Sequence, residues 1–505
     1  RTSYLTTVAS YYDLDIDLLQ QRGRTADAYA VSERARARVL LESLAESAWK
    51  IRKGVDPVLL ERERDLRAEL NAKDRYRAEV VLKEGEGSAR AVALAKTVEQ
   101  RVADLAGVRA KIRETSPAYA ALAMPEPMTV DDIQRTLLDD NTSIVAFHLG
   151  DSRSYAWVID RKSISVHALP RAAAIDKLAR EYHELLSRDV DAMPAAERDK
   201  LSSQISLAAR HLADVVWKPI AKRARSKRLL IIADGALQYV PFASLPSSSG
   251  EPLIVQHEIV YLPSASVLKA IRRERRPATA RTALVFADPV FSADDPRVGG
   301  NVATDGGGSA RGGPYSRLRF SRAEAEEIAA IEGRKAVEAL DFSAAKRAIV
   351  DRDLRPYSII HFATHGYVDT QQPELSGLVL SLVDEKGKPV DGFLHLYDIY
   401  NLDLDAQLVV LSACRTALGK EVHGEGLIGL TRGFMYAGAA RVVSTIWNVD
   451  DRASARLMST FYDAMLVRKM TPAAALRAAQ LSLLRQPRWS NAHYWAAFGL
   501  QGEWR

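Results

Sequence analysis

The sequence predicts an α/β protein built on a mostly parallel sheet and preceded by an all-helical region. Three observations carry this. From Arg1 to about Pro125 the chain is rich in Ala, Leu, Arg and Glu and poor in β-branched residues after the first turns, a composition whose summed propensity favours helix. Beyond Pro127, runs such as Arg228-Leu229-Leu230-Ile231-Ile232, Ser358-Ile359-Ile360-His361-Phe362-Ala363 and Gln407-Leu408-Val409-Val410-Leu411 are almost continuously apolar and close on Gly, Ser, Thr or Asp. Strands covered on both faces need no polar alternation, and these are the strands of parallel sheets. Helical stretches between such runs supply the crossovers.

Taken in order, the first fifty residues hold two helices. Tyr4-Leu5, Val8, Tyr11-Tyr12 and Leu18-Leu19 repeat at helical spacing, and Gly23-Arg24-Thr25 separates them from a second run through Ala28, Val31, Ala35, Val39-Leu40 and Leu44. Residues 51–125 read as a helical hairpin, Pro57 to Lys83 and Ser88 to Glu114, broken at Gly85 and Gly87. Charges of alternating sign (Glu61 to Asp65) oppose Leu59, Leu60, Leu66 and Leu70. The hairpin is either a lever between a sensor and the rest or plain packing support.

Residues 127–290 form a first α/β half. Ser143 to Leu149, Ser154 to Ile159 and Ser163 to His167 are strand runs joined by short polar turns, hence antiparallel hairpins. A helical stretch from Ala172 to Val216 follows, then the buried strand that ends at Asp234-Gly235. Residues 291–317 are rich in Gly and cannot bury enough apolar surface to offset their ordering entropy. This stretch reads as a disordered insertion, or as an activation segment with Arg297, Arg311 and Arg317 accessible. Residues 318–505 form a second half, with Ser321 and Glu324 as a capping box opening a helix to Ile331. Leu378 to Ser381 and Gly392 to Leu394 make a hairpin, Leu427 to Ala437 a helix and Arg441 to Trp447 a strand.

Bulk properties exclude some functions. The 505 residues are 47% hydrophobic, enough for two or three ordinary cores. A net charge of +6 arises from 70 basic and 64 acidic residues, too balanced to argue for nucleic acid. The basic runs Lys222 to Arg228 and Arg272 to Arg276 lack interleaved aromatics and read as solvated helix ends. No apolar run reaches about eighteen residues, so no membrane span is expected. The chain starts at Arg1 instead of Met and reads as a piece of a longer protein. Its single cysteine suits a reducing compartment, and a cytoplasmic location is expected.

Two strand ends present reactive side chains, His365 and Cys414. As the sole cysteine, Cys414 belongs to no intrachain disulfide and no multi-cysteine metal site. A thiol is only a few per cent ionised at neutral pH and needs a base, which a His on the adjacent strand end supplies. Gly366 permits close backbone approach, and its amide is a candidate oxyanion donor. Chemistry alone slightly favours a buried small hydrophobe and a satisfied core histidine over a catalytic pair. His361 lies four residues before His365, roughly 13 Å away at about 3.3 Å per strand residue, too far to share a metal.

The strings HFATHG, LSACRTALG and GEGLIGLTRGFMYAGAARVVSTIWNVDD, with the tail Ala492 to Phe498, resemble the CHAT domain, a caspase-like peptidase domain often found behind tetratricopeptide repeats. The resemblance runs upstream through LVFADPVF and LLIIADGALQYVPFASLP to about Pro127. It implies a caspase-like sheet whose first half lacks a dyad, and helices at 1–50 similar to the last unit of a tetratricopeptide array. The implied chemistry is that of a cysteine endopeptidase needing no metal or organic cofactor. His365 would be the base, Cys414 the nucleophile, and the amides of Gly366 and Cys414 the oxyanion donors. The implied partners are a protein substrate and an activating protein or peptide bound by the helical repeats; the rival is a scaffold that no longer cleaves.

Two departures limit the inheritance. The family motif places Gly where this chain has Ala417. A separase-like Trp-Asp-Val-Thr-Asp-x-Asp-x-Asp pattern, matched onto Trp447, puts its last carboxylate on Ala455, so arginine selection is not carried over. Asp234, Glu425 and Asp450 are the candidate carboxylates of a substrate pocket, or alternatively solvated turn residues.

Overall fold

The computed structural model describes residues 2–45, 56–84, 88–115, 128–190, 193–274, 282–300, 315–331, 336–367, 375–412 and 425–505. Helices α1 (Thr2–Gln21) and α2 (Thr25–Ala45) pack on each other. Gly23, at φ 70°, ends α1: Arg24 N–H donates to Leu19 O at 2.9 Å and Gly23 N–H to Gln20 O at 3.0 Å, the paired bonds of a Schellman ending. Helices α3 (Pro57–Glu84) and α4 (Ala89–Thr115) form the expected hairpin. Its Leu66, Leu70, Val98 and Leu105 share a cluster with Leu375 and Tyr397 of the second half.

Among the described residues, eleven strands make one sheet in the order β3-β2-β1-β4-β5-β14-β13-β12-β8-β6-β7. The outer antiparallel strands are β1 (Thr142–His148), β2 (Ser154–Ile159) and β3 (Ile164–Leu169). Parallel to β1 run β4 (Arg228–Ile232) and β5 (Glu258–Tyr261). The second half contributes β6 (Thr282–Pro289), β7 (Ala336–Asp341), β8 (Tyr357–Ala363), β12 (Leu408–Ser412), β13 (Arg441–Thr445) and β14 (Phe498–Gly502). Only β14 runs against its neighbour β13 in this half, and it meets β5 through the single register pair Gln501↔Tyr261.

The apolar runs form buried strands because both faces are filled. On β8, Ile359 and Ala363 enter one core cluster and Ile360 and Phe362 the other; on β12, Leu408 and Val410 alternate with Val409 and Leu411 in the same way. The two halves share one sheet, as expected. Their division differs from the sequence boundary: β6 lies before residue 290, yet it pairs with β7 and β8.

A second correction concerns the helix α8. Numbering the earlier helices α5 (Ala172–Leu186), α6 (Ala195–Val216) and α7 (Ala265–Glu274), α8 spans Arg319–Ala330, so Ser321 lies inside it and caps nothing. The Ser321 hydroxyl donates to Leu318 O at 2.7 Å and accepts from Asp288 N–H at 3.1 Å. Beyond the sheet, α9 (Glu425–Ala437), α10 (Asp451–Tyr462) and α11 (Pro472–Leu484) complete the layers.

Candidate active site

Strand β8 ends at Ala363, and one residue later the chain enters β9 (His365–Tyr367). That strand belongs to a separate three-stranded sheet with β10 (Gly377–Val379) and β11 (Phe393–His395), ordered β11-β10-β9. His365, read in the sequence as lying at a strand end, opens this second short strand. Thr364 makes the bend, its hydroxyl donating to Val379 O. Gly366 pairs with Leu378 across the β9–β10 ladder.

His365 is fully buried. Its ring lies 5.1 Å from that of Phe291 and 5.6 Å from that of Tyr315, and its Nε2 donates to the backbone carbonyl of Ser316 at 2.6 Å. A carbonyl can only accept, so Nε2 carries the hydrogen and Nδ1 is the acceptor of the neutral ring. This contact orients the imidazole and selects its tautomer. The residues that supply it, Tyr315 and Ser316, follow the Gly-rich run and carried no signal in the sequence, because a backbone carbonyl has no side-chain signature.

In the main sheet β12 is the parallel neighbour of β8, with Ser412 paired to Ala363. His365 stands two residues after Ala363, and Cys414 stands two residues after Ser412 in the sequence. Cys414 and Ala417 lie outside the described residues. So does the stretch 301–314 with Arg311, and so does the side chain of Glu425 at the start of α9.

The expected acidic residues fall in different places. Asp234 stands two residues after β4 and accepts from Leu149 N–H at 2.8 Å and Gly235 N–H at 2.9 Å. Five strand steps separate β4 from β8, roughly 24 Å at about 4.8 Å per step, so Asp234 is not brought to His365. Asp450 caps α10, accepting from Ala453 N–H at 2.7 Å. Its neighbour Asp451 accepts from Phe320 N–H at 2.9 Å. Burial raises the Asp451 carboxyl to about 6, with Glu324, Asp450 and Asp288 adding to the rise and the Phe320 amide opposing it.

A carboxylate that the sequence reading missed is Asp288, at the end of β6. It is fully buried, it is a non-glycine residue at φ 48°, and three guanidinium groups meet it. Arg317 reaches it with Nε at 2.8 Å and Nη2 at 2.7 Å, Arg322 with Nε at 3.0 Å and Arg297 with Nη1 at 3.1 Å. Arg297 also pairs with Asp295 and Asp341, and Arg322 with Asp341. Burial opposes ionisation of Asp341, but Arg322 and Arg297 hold its carboxyl below the usual range. Arg297, one of the arginines of the activation-segment reading, is thus tied into an ion-pair cluster with its side chain 14% exposed, whereas Arg317 joins the cluster and stays exposed.

His361 has a structural setting. Its Nε2 lies 3.0 Å from Glu324 Oε1 and its Nδ1 3.0 Å from the Tyr462 hydroxyl, all three residues buried. Glu324, the supposed capping residue, is thus the partner of His361. Among the described residues no three His, Cys, Asp or Glu side chains gather as a metal site, and no helix is long and apolar enough to cross a membrane.

Fold and site together define a large mostly parallel α/β sheet carrying a buried, carbonyl-oriented histidine at a strand end. The CHAT domain pattern matches residues 207–503, more than half of the chain, and the protein belongs to the CHAT domain family. Among curated proteins it is similar to Tetratricopeptide repeat protein 28 of Mus musculus, 26% identical over 317 residues, and of Homo sapiens, 27% over 313. Each match spans 55% of this chain but only 12% of the relative's length. Among solved structures it is similar to the Saccharomyces cerevisiae separase–securin complex in two crystal structures, at 2.6 and 3.0 Å resolution. TM-scores are 0.46 and 0.45 at 9% and 8% identity, covering 94% and 80% of this chain and 40% and 34% of the other.

Proposed function

We propose that this chain is a cysteine endopeptidase cleaving a protein substrate through His365 and Cys414, with activity switched by a protein or peptide bound through the helical region. The observation that carries the reading is the His365 imidazole, buried and committed by its Nε2–H to the Ser316 carbonyl, two residues beyond the Ala363 that pairs with Ser412 of β12.

In this reading Nδ1 takes the thiol proton, and the thiolate adds to the scissile carbonyl. The amides of Gly366 and Cys414 stabilise the oxyanion. The imidazolium returns its proton to the leaving amine, and water hydrolyses the thioester with the same imidazole as base. Positioned proton transfer is worth about 10²–10⁴ in rate and an oxyanion donor about as much. No metal or organic cofactor enters.

The test is alkylation of the sole cysteine by iodoacetamide across pH. Fast reaction at neutral pH that collapses in His365→Ala, followed by cleavage in a peptide library, is the expected result. Slow, His365-independent reaction would favour the scaffold reading, for which Ala417 in the place of the motif glycine is the one supporting feature. Full-rate cleavage by the chain without any partner would sink the switch.

A further inference from the structure

We infer that Asp288 and Arg317 form a latch that positions His365; the inference rests on the peptidase reading and deepens it. Arg317 directly follows Ser316, whose carbonyl receives the His365 Nε2–H, and lies two residues from Tyr315, whose ring packs on the imidazole. A two-pronged guanidinium–carboxylate pair fixes direction as well as distance, so the fork on Asp288 sets where the Ser316 carbonyl points.

The anchor of this latch is built into the sheet. Ala287, one residue before Asp288, pairs with Ala363, two residues before His365. Clamp and histidine are therefore referenced to the same register position on neighbouring strands. Asp288 is held at positive φ with its carboxylate fully buried, a conformation that a non-glycine residue keeps only where the surroundings over-determine it.

The three arginines are not equivalent. Arg297 bridges Asp288 to Asp295 and Asp341, and Arg322 bridges it to Asp341, whereas Arg317 pairs with Asp288 alone among the described residues. Three carboxylates, Asp288, Asp295 and Asp341, face three guanidinium groups, so the cluster is balanced only with Arg317 in place. Removing Arg317 leaves the other two arginines to hold α8 and the segment 295–297, and frees only the segment that touches His365. Arg317 and Asp288 are positioning residues, acting through the imidazole.

Two readouts on the whole chain test this. The first is the ¹⁵N spectrum of imidazole-labelled protein, with His365 assigned by its loss in His365→Ala. Wild type should show an Nε2-protonated ring with a slowly exchanging proton; Arg317→Ala should show averaged tautomers and fast exchange. Arg317→Lys, which keeps the charge without the fork, should lie between, and Arg319→Ala should match wild type. The second is the iodoacetamide rate at neutral pH, expected to fall about ten-fold in Arg317→Ala and to recover in part in Arg317→Lys.

A wild-type ¹⁵N pattern in Arg317→Ala overturns the latch. So does faster alkylation in that variant, which would make the segment an obstruction. An Arg317-dependent tautomer with His365-independent alkylation would keep the latch and remove the peptidase reading; the reverse pattern would do the opposite. Arg317→Lys keeps the test open if Arg317→Ala fails to fold.

Discussion

Asp451, whose carboxyl burial raises to about 6, couples stability to pH. Its folded value lies above the ordinary carboxyl value, so between about pH 4 and 6 the native chain binds more protons than the unfolded one, and stability falls as pH rises through that window. Asp451→Asn removes the buried charge. It should stabilise the protein by on the order of 1–3 kcal/mol above pH 6 and by nothing near pH 4, read as a pH-dependent gain in urea midpoint. The His361–Glu324 pair behaves differently, because both partners are buried and their facing atoms lie 3.0 Å apart. Glu324→Ala should cost about 1–3 kcal/mol in urea unfolding, since it takes the acidic neighbour from the buried Nε2 of His361 while Nδ1 keeps Tyr462. An unchanged midpoint would mean that the pair is not formed in solution.

Strand β10 backs the strand that carries His365, and its Gly377 is packed so closely on β11 that an added Cβ would collide with the backbone of Leu394 and His395. Gly377→Ala should push β10 off β11, displace β9 and abolish the His365-dependent part of Cys414 alkylation, while the main-sheet circular dichroism persists. Elements of this kind were only partly legible in the sequence. The continuous apolar runs of β4, β8 and β12 announced themselves because both faces of each strand are filled. Of the side sheet, the hairpin of β10 and β11 was legible, whereas β9 was not, since the three residues His365–Tyr367 carry too little pattern beside the longer run that precedes them. Ser321 and Glu324 mimicked a cap because the local Ser-x-x-Glu signal is indifferent to the tertiary pair that claims Glu324. Asp234 was grouped with the site because strand ends look alike in sequence, whatever their distance across the sheet. Arg272 was read as solvated, yet it pairs with Glu503 and lies 4.4 Å over the Trp504 ring.

At the scale of the molecule, the helical region meets both halves of the sheet. The buried Glu33 carboxylate of α2 accepts from Ala265 N–H at 3.3 Å and from Ser266 N–H at 3.2 Å, acting as the N-terminal cap of α7. Arg36 of α2 donates to the carbonyl of Phe147. The hairpin α3–α4 packs on Leu375 and Tyr397, which flank β10 and β11. Glu33→Ala should cost about 1–2 kcal/mol and raise amide hydrogen exchange in α2 and the first turn of α7 together. Exchange confined to α2 would show that the contact caps nothing. The seam between β5 and β14 has a further consequence. Because β14, near the C-terminal end of the sequence, lies between β13 and β5, neither half owns a finished sheet. A chain divided between α7 and β6 would give two pieces, each with a raw edge able to pair indiscriminately. Each should aggregate when made alone, whereas the two made together should find each other through β5 and β14, a natural cut point for fragment complementation.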